Sequence, residues 1–335
     1  MLSRPSGQGT VSGLEGTRIG RYWLHDCLGR GSHTAVYKAS TPSGQWCALK
    51  LVDMRLQGGE NLAERVLRDA AILEQIGHPH ILPIHNAMAF DELTAVVMPL
   101  LEGLTVRDLM RAGRLDSDTA WMIMSQVADP LRSAHGSGLT YKVLKPANIL
   151  VREGHAYLAE FGIAGRGAGQ VGLATTDCQL STPQYLAPEQ IAGAEPDSRT
   201  DVYAFAVLAF ELATATALYD GSRPFTVLRT ALNDSPPSAH ARDPRVPADV
   251  DAVLRRALSR DPSRRHPSVE ELIEELVCPP WPSGGGDGDP AASAPGPMTP
   301  GAIPEPDAAS SMTVHSLIDV LSGVLTPESE KGGER

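Results

Sequence analysis

The 335-residue sequence predicts an α+β fold with two lobes, a small one rich in strands and a larger one made of helices, followed by a disordered C-terminal tail. Between residues 19 and 100, short apolar runs are typical of strands, and one helical pattern lies between them. From about residue 104 the apolar spacing becomes helical. Residues 279–311 consist mostly of Pro, Gly, Ala and Ser, and such a composition cannot bury a core.

Composition and charge limit the classes of function. With 42% hydrophobic and 21% charged residues, the chain has an ordinary globular composition. The formal net charge of -11 argues against nucleic acid or an anionic membrane as a partner. The four cysteines are far apart, which indicates free thiols in a reducing compartment. The start has no signal-peptide core and the longest apolar run contains Glu211, so we expect a cytoplasmic protein.

The chain divides into a main domain with less regular segments on both sides. Residues 1–18 are rich in Gly and Ser, and we expect them to be flexible. The main domain is expected at 19–278, with the small lobe at 19–100 and the large lobe at 101–278. It is followed by a linker at 279–311, a candidate docking helix at 312–326 and a tail at 327–335.

The first motif with chemical content is "LGRGSHTAVYKA", a glycine-rich turn between two strand patterns. Gly29 and Gly31 would let the backbone approach a phosphate closely, although a plain hairpin turn is the alternative. A strand follows this turn, whereas a dinucleotide-binding fold would have a helix there.

Two charged residues interrupt apolar patterns in the small lobe. In "CALKLV", Ala48 and Lys50 share one face of a strand, so Lys50 requires a partner or a ligand unless it reaches solvent from an edge. In the helix near 61–76, Asp69 lies on the apolar face, where an unpaired carboxylate is costly. Both residues are therefore candidates for a binding site.

The segment "LTYKVLKPANILV" (139–151) poses the main question about function. Lys145 and Asn148 are residue types suited to a phosphate and a metal ion, whereas Val143 has only an isopropyl group.

These motifs, in this order, resemble those of the bacterial Hanks-type serine/threonine protein kinases over residues 19–278. "VVMPLLEG" resembles the hinge between the lobes, and "STPQYLAPEQ" resembles the end of the activation segment. Asp201, on a buried helix, and Glu189 with Arg265 match positions that support the fold. The resemblance implies a bilobal protein kinase fold.

The resemblance also implies an ATP site. In the family, the lysine at position 50 holds the α- and β-phosphates and pairs with a helix carboxylate, here Asp69. Met98 matches the gatekeeper, while the Pro99 carbonyl and the Leu101 N–H would contact adenine. The implied nucleotide-binding residues are Gly29, Gly31, Val36, Ala48, Lys50, Asp69, Met98, Pro99, Leu101, Asn148 and Leu150. Asn148 and Glu160 would hold Mg²⁺ or Mn²⁺.

Several positions depart from the family pattern. Tyr141-Lys142-Val143 replaces His-Arg-Asp, so Val143 occupies the position of the catalytic aspartate, with Lys145 retained nearby as a supporting residue. Valine cannot accept a proton, and a positioned base contributes ~10²–10⁴-fold to the rate. Glu160-Phe161-Gly162 replaces Asp-Phe-Gly and keeps the charge on a longer side chain. Thr34 replaces the third glycine of the loop.

Two hypotheses of function follow from these matches and departures. In the first, the chain is a pseudokinase, a nucleotide-binding signalling protein that acts through protein partners. In the second, it is a slow serine/threonine kinase that transfers the γ-phosphate of ATP. A kinase fold that binds no nucleotide is a third interpretation.

The tail contains one amphipathic segment, 312–326, in which apolar residues from Val314 to Leu325 follow helical spacing. An isolated helix of about this length is marginal in water, so we expect it to order against a partner's groove or the chain's own large lobe. A tail that is amphipathic by chance is the alternative, and Gly323 supports it.

Overall fold

The computed structural model describes residues 11–30, 34–53, 62–90, 93–113, 115–159, 183–219 and 224–277. Within this part, the small lobe is an antiparallel sheet of six strands in the order β1-β2-β3-β4-β6-β5, with one helix, α1, packed against it. The elements are β1 (Arg18–Ile19), β2 (Tyr22–Arg30), β3 (Thr34–Ser40), β4 (Trp46–Asp53), α1 (Leu62–Ile76), β5 (Asn86–Phe90) and β6 (Leu93–Pro99).

The two faces of this sheet bury different clusters because side chains alternate along each strand. On β3, Val36 belongs to the large core that continues into the other lobe, while Tyr37 belongs to a second cluster on the outer face. On β4, Ala48 belongs to the large core and Leu49 belongs to the cluster on the outer face. The face that holds Ala48 is therefore the one turned towards the large lobe.

Residues 11–17 cover the outer cluster, which differs from the flexibility expected for 1–18. Val11 is 3% exposed and packs in the cluster together with Leu24 and Tyr37. The sequence shows little sign of this because the segment has few apolar residues, and these are buried by the sheet rather than by a local pattern. Residues 1–10 lie outside the described part of the chain.

The large lobe is mainly helical and is built around α5, whose residues from Thr200 to Glu211 are all buried. Asp197 caps the start of this helix, and Asp116 caps α3 in the same way. The helices described in this lobe are α2 (Val106–Arg111), α3 (Ser117–Gly136), α4 (Pro188–Ile191), α5 (Ser198–Thr214), α6 (Pro224–Asn233), α7 (Ala239–Arg242), α8 (Ala248–Ala257) and α9 (Val269–Val277).

A small three-stranded sheet also lies in the large lobe, where the sequence predicts only helices. Its strands are β7 (Leu104–Thr105), β8 (Ile149–Arg152) and β9 (His155–Leu158), in the order β7-β8-β9. Strands of two to four residues are too short for a periodic pattern to reveal them.

The architecture confirms the expected bilobal α+β fold. Among the helices of the described ranges, none has the length and hydropathy needed to cross a bilayer. The linker, the segment 312–326 and the tail lie outside these ranges.

Candidate nucleotide site and catalytic loop

The candidate site begins on β4, where Lys50 lies between two apolar neighbours. Strand pairing places Lys50 opposite Val36 on one side and Val96 on the other. The residue is 4% exposed, although a lysine is rarely so deeply buried without an interaction for its charge. The expectation that Lys50 lies inside the sheet is therefore confirmed.

The apolar residues expected around a nucleotide belong to the core that continues from the sheet into the large lobe. Val36 and Ala48 come from the sheet, Met98 and Leu101 from the hinge, and Leu150 from β8 of the large lobe. All five belong to one buried cluster. Pro99 ends β6 opposite Cys47, so the missing N–H of the proline falls at the end of a strand.

The catalytic loop is held by one buried carboxylate from α5. Asp201, which is fully buried, accepts hydrogen bonds from the backbone N–H groups of Tyr141 and Lys142, each at 2.7 Å. His135 of α3 contacts the same carboxylate at 2.7 Å. Lys142 has a φ of 72°, a left-handed conformation that a lysine rarely adopts. Asp201 thus fixes the loop in a conformation that its sequence alone would not favour.

Two further contacts fix the loop directly before Val143. The amide of Gln190 donates to the Lys142 carbonyl at 3.0 Å, and the Tyr141 hydroxyl donates to the Ala159 carbonyl. Sequence reasoning missed both contacts. Tyr141 occupies the family's histidine position. A tyrosine at a buried position indicates that its hydroxyl needs a hydrogen-bond partner, and this signal could have revealed the contact with Ala159.

Asn148 connects Val143 with the strand that leads to residue 160. Its Nδ2 donates to the Val143 carbonyl at 3.3 Å, and its backbone carbonyl accepts from Ala159 N–H at 2.9 Å. Asn148 is 2% exposed, and its buried Oδ1 has no hydrogen-bond partner among the residues that the structure describes. A buried carbonyl oxygen without a partner is costly, and a ligand or an ion is one explanation for it.

The orphaned Oδ1 allows a test of whether this chain fits a divalent cation. Mg²⁺ and Mn²⁺ take oxygen ligands, so this oxygen suits such an ion. Lys145, only 8% exposed, lies within the same loop. The other expected ligand, Glu160, directly follows Ala159 but lies outside the described residues. In the part described, no cluster of three His, Cys, Asp or Glu residues could hold a metal.

Other expected site residues also lie outside what the structure describes. Gly31 is among them, and the side chain of Asp69 is not described although its backbone belongs to α1. The expected pairing of Lys50 with Asp69 therefore stays a prediction. Gly29 lies near the end of β2, directly before the turn.

The large lobe contains two polar contacts between side chains that are buried or nearly so. The Arg265 guanidinium binds the Glu189 carboxylate through two hydrogen bonds of 2.7 Å, which confirms the expected pair. The Tyr185 hydroxyl donates to Glu211 Oε2 at 2.8 Å. Desolvation by burial raises the pKa of Glu211 to about 7. Sequence reasoning missed the Tyr185–Glu211 contact, although a carboxylate within an apolar helix was a signal for it.

Comparison with known proteins agrees with this geometry. The family model described as "Protein kinase domain" matches residues 22–281. PknE, a serine/threonine-protein kinase of Mycobacterium bovis, is 32% identical over 274 residues, which cover 79% of this chain and 47% of PknE. PknD of Mycobacterium tuberculosis is 33% identical over 261 residues, or 77% of this chain and 39% of PknD. The chain thus spans less than half the length of these two relatives.

Solved structures show the same fold. The kinase domain of Mycobacterium tuberculosis PknI aligns with a TM-score of 0.63 at 28% identity, covering 78% of this chain and 97% of that domain. Rad53 in complex with AMP-PNP aligns with a TM-score of 0.62 at 20% identity over 76% of this chain and 65% of the Rad53 chain. At that identity, the likeness to Rad53 shows the fold alone.

Proposed function

The chain belongs to the protein kinase family, in its bacterial Hanks-type serine/threonine branch, and on that basis we propose that it is a pseudokinase that binds ATP and acts through a protein partner. The observation that carries the proposal is the contrast between two neighbouring parts of one loop. Asn148 has a buried oxygen with no partner in the described part of the chain, whereas Val143, five residues before it, has an aliphatic side chain.

Nucleotide binding is supported by the small lobe and the hinge. Lys50 is buried, and strand pairing places Val36, Ala48 and Met98 on the same face of the sheet. Apolar side chains of this kind line binding sites for small molecules such as adenine. The nearby ammonium group would offset phosphate charge in a site of low dielectric constant. ATP supplies the phosphates when it is bound, while this chain's residues bind and orient it.

Impaired phosphoryl transfer is supported by the residue at position 143. Asp201 and Gln190 fix the backbone on its N-terminal side, and Asn148 fixes its carbonyl. A side chain at 143 is therefore held in place, but an isopropyl group neither accepts a proton nor orients a hydroxyl. Loss of a positioned base lowers the rate by ~10²–10⁴-fold.

The proposal is tested by a phosphotransfer assay with radiolabelled ATP and a generic protein substrate. We compare the wild-type chain with Val143→Asp, with and without Glu160→Asp. The matched control is Val143→Asn, which has the size of aspartate but no basic carboxylate. We expect transfer to rise at least tenfold with the two aspartates and to stay at the wild-type level in the control. Wild-type turnover within the family's usual ~1–100 s⁻¹ would refute impaired catalysis.

A slow serine/threonine kinase is the second candidate, and the intact support of the loop favours it. Lys145 is retained and 8% exposed, and the Asp201 bonds hold the loop although its central residue has changed. Slow phosphotransfer by the wild-type chain that disappears in the Lys50→Met variant would support this candidate.

We propose that metal binding is weak because the side chain of Glu160 is one methylene longer than that of the aspartate it replaces. Mg²⁺ requires a nearly octahedral shell at ~2.0–2.1 Å, and a longer side chain fits this shell poorly. We expect less than a tenfold change in ATP affinity when Mg²⁺ is removed. A strict requirement for Mg²⁺ would contradict this expectation and favour the slow kinase.

Recruitment of a partner is proposed to use the segment 312–326. Its apolar face, with Leu317 and Leu321 near the centre, fits a groove in a partner protein. Pull-down with the full chain, with Leu317→Asp plus Leu321→Asp, and with a 1–311 truncation tests this role. Equal recovery of the same proteins by all three forms would contradict it.

The cytoplasm is the compartment that we propose for this domain, because ATP is available there and thiols stay reduced. Cys27 and Cys47 are free thiols, which supports the proposal.

A further inference from the structure

The glycine-rich loop has a structural neighbour that the proposed nucleotide site does not include. Residues 11–17, here called the N-terminal strap, lie over the outer face of the small-lobe sheet. The Tyr37 hydroxyl donates to the Val11 carbonyl at 2.8 Å and accepts from the Leu14 N–H at 3.3 Å. Because Val11 is 3% exposed, the start of the strap is packed into the fold.

The end of the strap is fixed to β2 through backbone groups. Gly16 N–H donates to the Leu24 carbonyl, and Leu24 N–H donates to the Thr17 carbonyl, each at 2.9 Å. The Thr17 hydroxyl closes the turn by donating to the Leu14 carbonyl at 2.7 Å. The strap therefore has a defined position relative to the strand that leads into the glycine-rich loop.

One side chain of the strap reaches that loop. Glu15 Oε1 accepts from Arg30 Nη2 at 2.7 Å, and Arg30 lies between Gly29 and Gly31. Arg30 Nε also contacts Cys27 Sγ at 3.2 Å. The guanidinium is thus held from two sides, by the strap and by β2.

We propose that Glu15 is a positioning residue for the nucleotide site, because it holds Arg30 at the end of β2, where the glycine-rich motif begins. The inference rests on the proposed function, because it concerns affinity for ATP. Gly29 gives the end of β2 more backbone freedom than another residue would, and ligand binding that fixes this backbone costs conformational entropy. A contact that holds Arg30 beforehand lowers this entropic cost and increases affinity.

The size of the effect is limited by exposure. The two side chains are 50% and 39% exposed, and ion pairs of this kind are screened by solvent. We therefore expect loss of the contact to weaken ATP binding by about two- to five-fold, which corresponds to the usual strength of an exposed pair.

The test is a double-mutant cycle measured by calorimetric titration of the full chain with ATP. Glu15→Gln and Arg30→Gln remove one charge each, and the third variant combines them. If the residues act through their contact, each single variant weakens binding about two- to five-fold and the double variant is no weaker than Arg30→Gln alone. Additive losses, or tighter binding in Glu15→Gln, would contradict the proposal.

A matched control separates this effect from loss of a surface charge. Arg256 and Glu275 form an ion pair at 2.7 Å with exposures of 45% and 44%, far from the loop. We expect Arg256→Gln to leave ATP affinity unchanged. Equal weakening by Arg256→Gln and Glu15→Gln would mean that Glu15 has no positioning role.

A second readout does not depend on ATP binding. Hydrogen exchange over residues 27–37 in the nucleotide-free chain should be faster in Glu15→Gln than in Arg256→Gln, while both melt within about 4 °C of the wild-type chain. Unchanged exchange there would overturn the positioning role. If wild-type protein binds no ATP but exchange still accelerates, the proposed function fails while the contact between strap and loop stands.

Discussion

The carboxylate of Asp201 and the backbone of Lys142 are joined by a hydrogen bond of 2.7 Å, although the two residues are 59 positions apart. Lys142 has a φ of 72° at this point, so the bond holds the backbone in a region where side chains are disfavoured. The same carboxylate also accepts the Tyr141 N–H. The loop conformation therefore depends on α5, a helix from another part of the chain.

Asp201→Asn should destabilise the protein by roughly 1–3 kcal/mol, because an amide offers one acceptor oxygen where two backbone N–H groups are buried. Urea unfolding, followed by circular dichroism, measures this loss. Asp249→Asn, at an exposed position of α8, is the matched control and should change stability by less than ~0.5 kcal/mol. Equal losses in both variants would show that Asp201 does not support the loop.

Arg265→Gln should cost about 3–5 kcal/mol, since it removes a fully buried guanidinium and leaves the carboxylate of Glu189, only 12% exposed, without this partner. The exposed pair of Arg256 and Glu275 has the same length of 2.7 Å. Arg256→Gln should therefore cost no more than ~1 kcal/mol. Chemical unfolding of both variants measures the difference, and similar losses would contradict the role assigned to burial.

Glu211 should make folding stability depend on pH. Burial raises its pKa from 4.5 to about 7, so the folded state binds the proton more tightly than the unfolded chain does. Its contribution to stability is therefore fully present below pH ~4.5 and is lost as the pH rises to about 7, a change on the order of 3 kcal/mol. The Tyr185 hydroxyl and the Arg107 charge act in the opposite direction, because both favour the carboxylate.

Glu211→Gln should remove this dependence, so that the variant gains stability relative to the wild-type chain as the pH rises from about 5 to 7.5. Unfolding in urea at several pH values measures the gain. Glu274→Gln, exposed on α9, is the control and should follow the wild-type curve. Parallel curves for wild type and Glu211→Gln would show that Glu211 does not titrate in this range.

Much of this fold could be predicted because its elements carry local patterns. The helix near 61–76 is observed at Leu62–Ile76, and the hinge follows the strand that ends at Pro99. Lys50 could be found because a lysine in an apolar strand requires a partner or a ligand. Asn148 could be found because the segment that contains it resembles the family pattern.

Other features could not be predicted because they depend on contacts between distant residues. Val11 is buried only because Tyr37 and the outer face of the sheet lie opposite it. The apolar helix indicates that Glu211 needs a partner, but no pattern in the sequence identifies Tyr185 as that partner. The strands from 149 to 158 are too short for alternation to identify them.

Binding of ATP by the wild-type chain, compared with Lys50→Met, tests the central claim most directly. Thermal and calorimetric titrations with ATP, each with and without Mg²⁺, measure it. We predict that ATP at ~100 times its dissociation constant stabilises the wild-type chain by ~2.7 kcal/mol and leaves Lys50→Met unaffected. Absence of stabilisation in the wild-type chain, or equal stabilisation of both proteins, would contradict the claim that this fold binds nucleotide through Lys50.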